Sequence, residues 1–184
     1  NIRTREKKLV KEEMVPSGHQ PDDYIVERLN CDSHDGRKIP LTITRHQKTK
    51  LDGTANLLLY AYGSYGASMG PGFSSSRLSL INRNIIWVTA HIRGGMERGM
   101  SWWKEGKMLN KKNTFKDYIS SANFLIEKKY TSKGKIIGMG GSAGGLLLGA
   151  VINESPELFL GAIMVVPFVD TLTTNLDHSL PLTT

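Results

Sequence analysis

The sequence predicts an α/β fold on a mostly parallel sheet. Three observations carry that prediction. Apolar runs of strand length alternate with segments whose apolar residues recur at helical spacing. The alternation stays regular from about residue 55 onward, the pattern of successive βαβ units. Three glycine-rich stretches, 62–72, 93–99 and 140–145, each follow an apolar run. Parallel sheets place their functional loops at such carboxyl ends.

Taken in order, residues 1–23 are polar and charged and end in "VPSGHQPDD". With Pro16, Gly18 and Pro21, that end reads as a linker. "YIVERLNC" and "KIPLTITRH" flank Asp35-Gly36, a dipeptide that signals a hairpin between strand-like runs. Polar residues 47–54 lead into "ANLLLYAYG", an unbroken apolar run suited to a buried parallel strand. "SSSRLSLINRN" reads as a short helix, and "IIWVTAHI" as a buried strand ending at Arg93-Gly94-Gly95. "NTFKDYISSANFLIEKKY" spaces Phe115, Tyr118, Ile119, Ala122, Leu125 and Ile126 for a helix, with Asn113 or Thr114 as its cap. "KIIGMG" follows as a strand, "AGGLLLGAVINES" as a helix and "GAIMVVPFV" as a strand.

Composition excludes several classes. The 184 residues suffice for one domain, and 39% hydrophobic with 22% charged residues is ordinary for a globular chain. No apolar run reaches the ~18 residues of a membrane span. A lone cysteine, Cys31, cannot form an internal disulfide. It is read as structural, at an exposed strand end, and a reducing cytoplasm is the expected compartment. The net charge is +7, and 104–135 holds nine lysines against Glu105, Asp117 and Glu127. No aromatic interleaving or nucleic-acid motif accompanies them, so they read as a solvated face. Asn1 stands where a start methionine would, and a piece of a longer chain is expected.

The chemistry concentrates in "GMGGSAGG". Gly140, Ser142 and Gly144 match G-x-S-x-G between a strand and a helix. That is the context of a nucleophile elbow, in which the serine backbone is strained and needs glycine neighbours. The following helix aims its first N–H groups at the reacting centre. The Ala143 N–H is the expected oxyanion donor. A phosphate-binding turn is the rival reading, but Gly138, Gly140 and Ala143 end on alanine, with no acid placed as a dinucleotide fold prefers. A plain structural turn is the third. In the 62–72 loop, Tyr62 or its neighbouring N–H groups could give a second donor, or the tyrosines could only pack. A nucleophilic serine needs a base and an orienting acid. Downstream lie Glu154, Glu157, Asp170, Asp177 and one histidine, His178, which follows too soon after the elbow to be a good base. His19, His34, His46 and His91 precede the elbow and read as surface or packing residues.

Four blocks, "YAYGSYGAS", "HIRGGMERGMSWWKEGKMLNKKNTFKDYISSANFLI", "GMGGSAGGLLLGAVINESPELF" and "VPFVDTLTTNLDHSLPLTT", closely resemble the oligopeptidase B branch of the prolyl oligopeptidase family of serine peptidases. The resemblance runs from about residue 24 to the end. It implies an α/β-hydrolase domain, three-layered and truncated to its amino-terminal part over 24–184. Residues 1–23 would be the exit strand and linker of a β-propeller. Ser142 matches the family's nucleophile, Ala143 its oxyanion N–H and Tyr62 its oxyanion hydroxyl, with Gly140 and Gly144 in the elbow. Family members of this branch cleave peptides after Arg or Lys through an acyl-enzyme, without metal or cofactor. The family's Asp, His and basic-side-chain recognition residues match nothing in this sequence. The chain alone is therefore expected to be inactive unless a complementary chain supplies them. The alternatives are an inert remnant with an exposed sheet edge, or a small esterase of the same fold. No nucleic-acid or membrane partner is expected. Met96 and Ala61 depart from the family's usual glycines, and Met96 is expected to crowd its loop.

Overall fold

Asp35-Gly36 does turn the chain. The structure, a computed structural model, describes residues 1–180 apart from 13, 17 and 71. Ser17 of the linker, Pro71 of the 62–72 loop and 181–184 of the last matched block therefore lie outside the described residues. β1 (Tyr24–Asp32) and β2 (Lys38–His46) pair antiparallel from Tyr24↔His46 to Asp32↔Lys38. Gly36 takes φ 80 in the turn, a conformation glycine adopts without strain.

The remaining strands are β3 (Leu57–Tyr60), β4 (Ile86–Ala90), β5 (Ile136–Gly141) and β6 (Phe159–Val165). They form one sheet in the order β1-β2-β4-β3-β5-β6. β2 meets β4 antiparallel, while β4, β3, β5 and β6 run parallel. The sheet is thus mixed, and parallel in the half that carries the glycine loops.

Apolar side chains on both faces explain the unbroken runs. Leu57 and Leu59 of β3 join the larger core, while Leu58 joins Trp87 and Ile81 on the opposite face. α3 (Lys112–Glu127) and α4 (Ala143–Glu154) cover the first face. α1 (Ser75–Ile81) covers the second with Leu78 and Ile81. Three layers result. Each buried leucine contributes about 1.5–3 kcal/mol. α2 (Met100–Lys104) and α5 (Thr171–Leu176) are short.

Three expectations need correction. Neither Asn113 nor Thr114 caps α3. A 3-10 turn at Met108–Asn110 runs into the helix through Lys111. The Asn113 amide donates instead to the Glu105 carbonyl, and Thr114 Oγ1 to those of Arg93 and Gly106. Cys31 is buried, not exposed, because inward-facing positions of β1 lie under α3, where its Sγ is 3.7 Å from Ser121 Oγ. Among the lysines of 104–135, Lys111 leaves the solvated face and turns inward, as described below. Before β1, the described residues of 1–20 form turns and irregular chain, with a 3-10 turn at Pro21–Asp23.

Candidate active site

β5 delivers the chain to Ser142 and α4 begins at the next residue. Ser142 takes φ 52, ψ −115, a region that costs a residue with a Cβ on the order of 1–3 kcal/mol. Hydrogen bonds on both sides impose it. The Ser142 N–H donates to the Val165 carbonyl at 2.9 Å. The Ser142 carbonyl accepts from Gly145 N–H at 2.9 Å and Phe168 N–H at 3.0 Å.

The neighbouring glycines are required by contact. A side chain on Gly140 would enter the Gly144 carbonyl. One on Gly144 would begin 2.9 Å from the Ala61 carbonyl and 3.6 Å from Tyr62 Cδ2. One on Gly145 would meet Pro167 Cα at 2.5 Å. The turn therefore packs against both the segment after β3 and the segment after β6. It brings Ser142, Ala143, Gly140, Gly144 and Tyr62 together. Ser142 is exposed, and its Oγ makes no hydrogen bond among the described residues. The Ala143 N–H, in the first turn of α4, likewise has no acceptor among them. Such free N–H groups at a helix start attract developing negative charge.

The histidines are not gathered there. His91 is buried, with Nε2 2.8 Å from Thr42 Oγ1. His34 Nδ1 meets Ser33 Oγ, and His46 Nδ1 accepts from the Lys48 N–H. His19 stacks on Tyr24, and His178 is exposed beyond α5. Asp170 caps α5 by accepting from Thr173 N–H, and Asp177 accepts from Ser179. Neither aspartate is bonded to a histidine.

Sequence reasoning missed what fastens the 93–99 loop. Arg93 is fully buried, with Nε donating to Asp117 Oδ2 at 2.9 Å and Nη2 to Asp117 Oδ1 at 2.6 Å. Nη1 and Nη2 also reach Asp35, and Nη2 donates to Ser33 Oγ at 3.0 Å. Burial opposes its charge, but Asp117 and Asp35 outweigh burial and hold the guanidinium protonated. This network ties the β1–β2 turn, the end of β4 and α3 together. Met96 packs its Cε against Gly66 of the 62–72 loop, and Ala61 is fully buried. Lys111 was missed as well. Its Nζ donates to the Gly63 carbonyl at 2.6 Å and Ser64 Oγ at 2.7 Å, and burial pushes its pKa down to about 8.

The sequence model of the prolyl oligopeptidase family matches residues 71–184, a span that includes the elbow. The chain belongs to the prolyl oligopeptidase family. It is 46% identical to dipeptidyl aminopeptidase BI of Pseudoxanthomonas mexicana over its whole length and 25% of that protein. It is 45% identical to protease 2 of Moraxella lacunata, again over its whole length and 27% of that protein. The solved structure of oligopeptidase B from Leishmania major superposes with a TM-score of 0.92 at 43% identity, over 98% of this chain and 25% of that one. The chain thus spans about a quarter of the length of these relatives. The prolyl oligopeptidase match also sets the elbow within a family of serine peptidases. Among the described residues, no group of three or more His, Cys, Asp or Glu is placed to hold a metal, and no helix is long and apolar enough to cross a membrane.

Proposed function

We propose that this chain carries the nucleophile and oxyanion site of a serine peptidase of the oligopeptidase B kind. The observation that carries the reading is the strained, exposed Ser142 at a strand-to-helix turn, with Tyr62 packed beside it and the Ala143 N–H free. Ser142 Oγ attacks the scissile carbonyl carbon. The carbonyl oxygen, now an anion, is held by the Ala143 N–H and the Tyr62 hydroxyl. Collapse expels the amine and leaves an acyl-enzyme, which water then cleaves. The serine proton passes to a histidine base that an aspartate orients, groups that the described residues do not present to Ser142. They belong to a longer protein or a complementary chain. Without them, only roughly 10³–10⁴-fold catalysis over water is expected. The resemblance to oligopeptidase B supports peptides with Arg or Lys before the cleaved bond as the proposed substrates. Residues 1–23 are proposed to be the exit from a propeller, 24–184 the start of the peptidase domain, and the compartment the cytoplasm.

The test is to treat the folded chain, alone and within the full-length protein, with a fluorophosphonate and an arginyl peptide amide. Expected are labelling at Ser142 and Arg-dependent turnover in the full-length protein, both lost in Ser142→Ala, with little turnover by the chain alone. Turnover of simple esters only would favour an esterase. An unlabelled Ser142 in folded full-length protein would leave the inert reading standing.

A further inference from the structure

Lys111 lies at the junction between the 3-10 turn at Met108–Asn110 and α3. It is partly buried, and no carboxylate of the described residues forms an ion pair with it. Burying a cation without a counter-charge is costly, so its hydrogen bonds must repay the cost. Its two acceptors are both on the residues directly after Tyr62, the Gly63 carbonyl at 2.6 Å and Ser64 Oγ at 2.7 Å.

That short segment is held from several sides. Gly63 takes φ 68, and a side chain there would begin 2.8 Å from Ile92 Cδ1 and also strike Thr114 Cγ2. Its carbonyl lies against Gly94, where a Cβ would strike it. These contacts are apolar or steric, and they limit where the peptide can go. Lys111 alone pulls on it with a charge. One residue earlier in the chain, the Tyr62 ring lies over Gly144 of the elbow.

We propose that Lys111 is a positioning residue for the oxyanion site. Its ammonium fixes the Gly63–Ser64 segment and thereby the direction from which the Tyr62 hydroxyl approaches the carbonyl bound at Ser142. The proposal rests on the reading of Ser142 as nucleophile and Tyr62 as oxyanion donor. Lys111 itself makes no hydrogen bond to Ser142; its Nζ reaches only the Gly63 carbonyl and Ser64 Oγ among the described residues. An oxyanion donor acts chiefly in the transition state, so losing its anchor lowers the maximal rate and spares ground-state binding.

The test is saturation labelling of the full-length protein by a fluorophosphonate, which separates the maximal labelling rate from the half-saturating concentration. Lys111→Met, Lys111→Arg, Tyr62→Phe and the combinations with Tyr62→Phe are compared, each checked for a wild-type unfolding curve. Lys111→Met is expected to slow maximal labelling about 10–100-fold with half-saturation unchanged. Lys111→Arg, which keeps charge and donors, should recover most of that loss. Because Lys111 acts through Tyr62, adding Lys111→Met to Tyr62→Phe should slow labelling no further. Independent, multiplying losses would overturn the Lys111 proposal while leaving the oxyanion reading in place. A normal rate in Tyr62→Phe would overturn the oxyanion reading, and the proposal with it. If Lys111→Met does not fold, Lys111→Gln, which removes the charge but keeps a donor, is paired with Tyr62→Phe and read by the same rule.

Discussion

Arg93 and Ser142 stand just beyond the ends of β4 and β5, the two strands flanking β3. Around Arg93 the polar groups are saturated. Asp117, Asp35 and Ser33 receive its guanidinium, and Asp117 also accepts the Arg93 N–H at 3.0 Å. Its backbone is unstrained. Around Ser142 the reverse holds, with a backbone in the positive-φ region and, among the described residues, an exposed hydroxyl without a partner and a neighbouring N–H without an acceptor. One loop end spends its polar groups on stability and the other withholds them. The difference separates the three glycine-rich loops more clearly than the glycines do, and it is the end of β5 whose unspent groups suit the proposed chemistry.

The comparison breaks most visibly at Asp117. Asp117→Ala removes the fully buried carboxylate and leaves the guanidinium with the solvent-exposed Asp35 and, at 3.8 Å, Glu105 as its charged partners. Unfolding in urea should show a loss of about 3–5 kcal/mol. Wild-type stability in that variant would mean the network is ornamental. A second contrast sets Ser142 against Cys31, the other intrinsically nucleophilic side chain. Burial pushes the Cys31 thiol up to about 11, so little thiolate forms at neutral pH. In the folded protein an aromatic disulfide reagent should react with Cys31 at least about 100-fold slower than in urea, while a fluorophosphonate finds Ser142. Equal rates would show that the face under α3 opens readily. Next in size is Gly140→Ala, whose methyl would enter the Gly144 carbonyl. It should cost about 1–3 kcal/mol, measured by thermal melting, and it should also abolish labelling at Ser142. Loss of labelling without loss of stability would mean the turn relaxes freely.

Much of this was legible in the sequence because periodicity and glycine spacing are local signals. The strand run 57–60, the elbow 140–144 and the hairpin at Asp35-Gly36 all appear where local pattern puts them. The Arg93 network was partly legible too. Thr114, Asp117 and Ser121 share the buried face of α3 with Tyr118, Ala122 and Leu125, and polar residues at core spacing signal buried partners. Which partners Asp117 takes was not legible, because Arg93 and Ser33 are 24 and 84 residues away in the chain and only the sheet order brings them together. Lys111 hid in a lysine-rich stretch whose other members follow the solvent-facing pattern. β6 read as an ordinary strand, but Leu160, Ile163 and Val165 are 60%, 43% and 49% exposed. Apolar pattern reports what a residue would bury, not whether a neighbour is there to bury it.

The smallest effect is the sharpest for the comparison. Ser142→Gly and Ser142→Ala both remove the hydroxyl, but only glycine relieves φ 52. The relief of on the order of 1–3 kcal/mol is offset by glycine's extra freedom in the unfolded chain, about 0.5–1 kcal/mol. A net gain of about 1 kcal/mol over the alanine variant is expected in chemical denaturation. Alanine keeps its Cβ in the same cramped backbone, so it should match wild type. The pair therefore separates the cost of the turn from the cost of the hydroxyl. Equal stability of the two variants would mean that the hydrogen bonds to Val165 and Phe168 impose no strain, and the elbow would then be no more tense than the saturated end of β4.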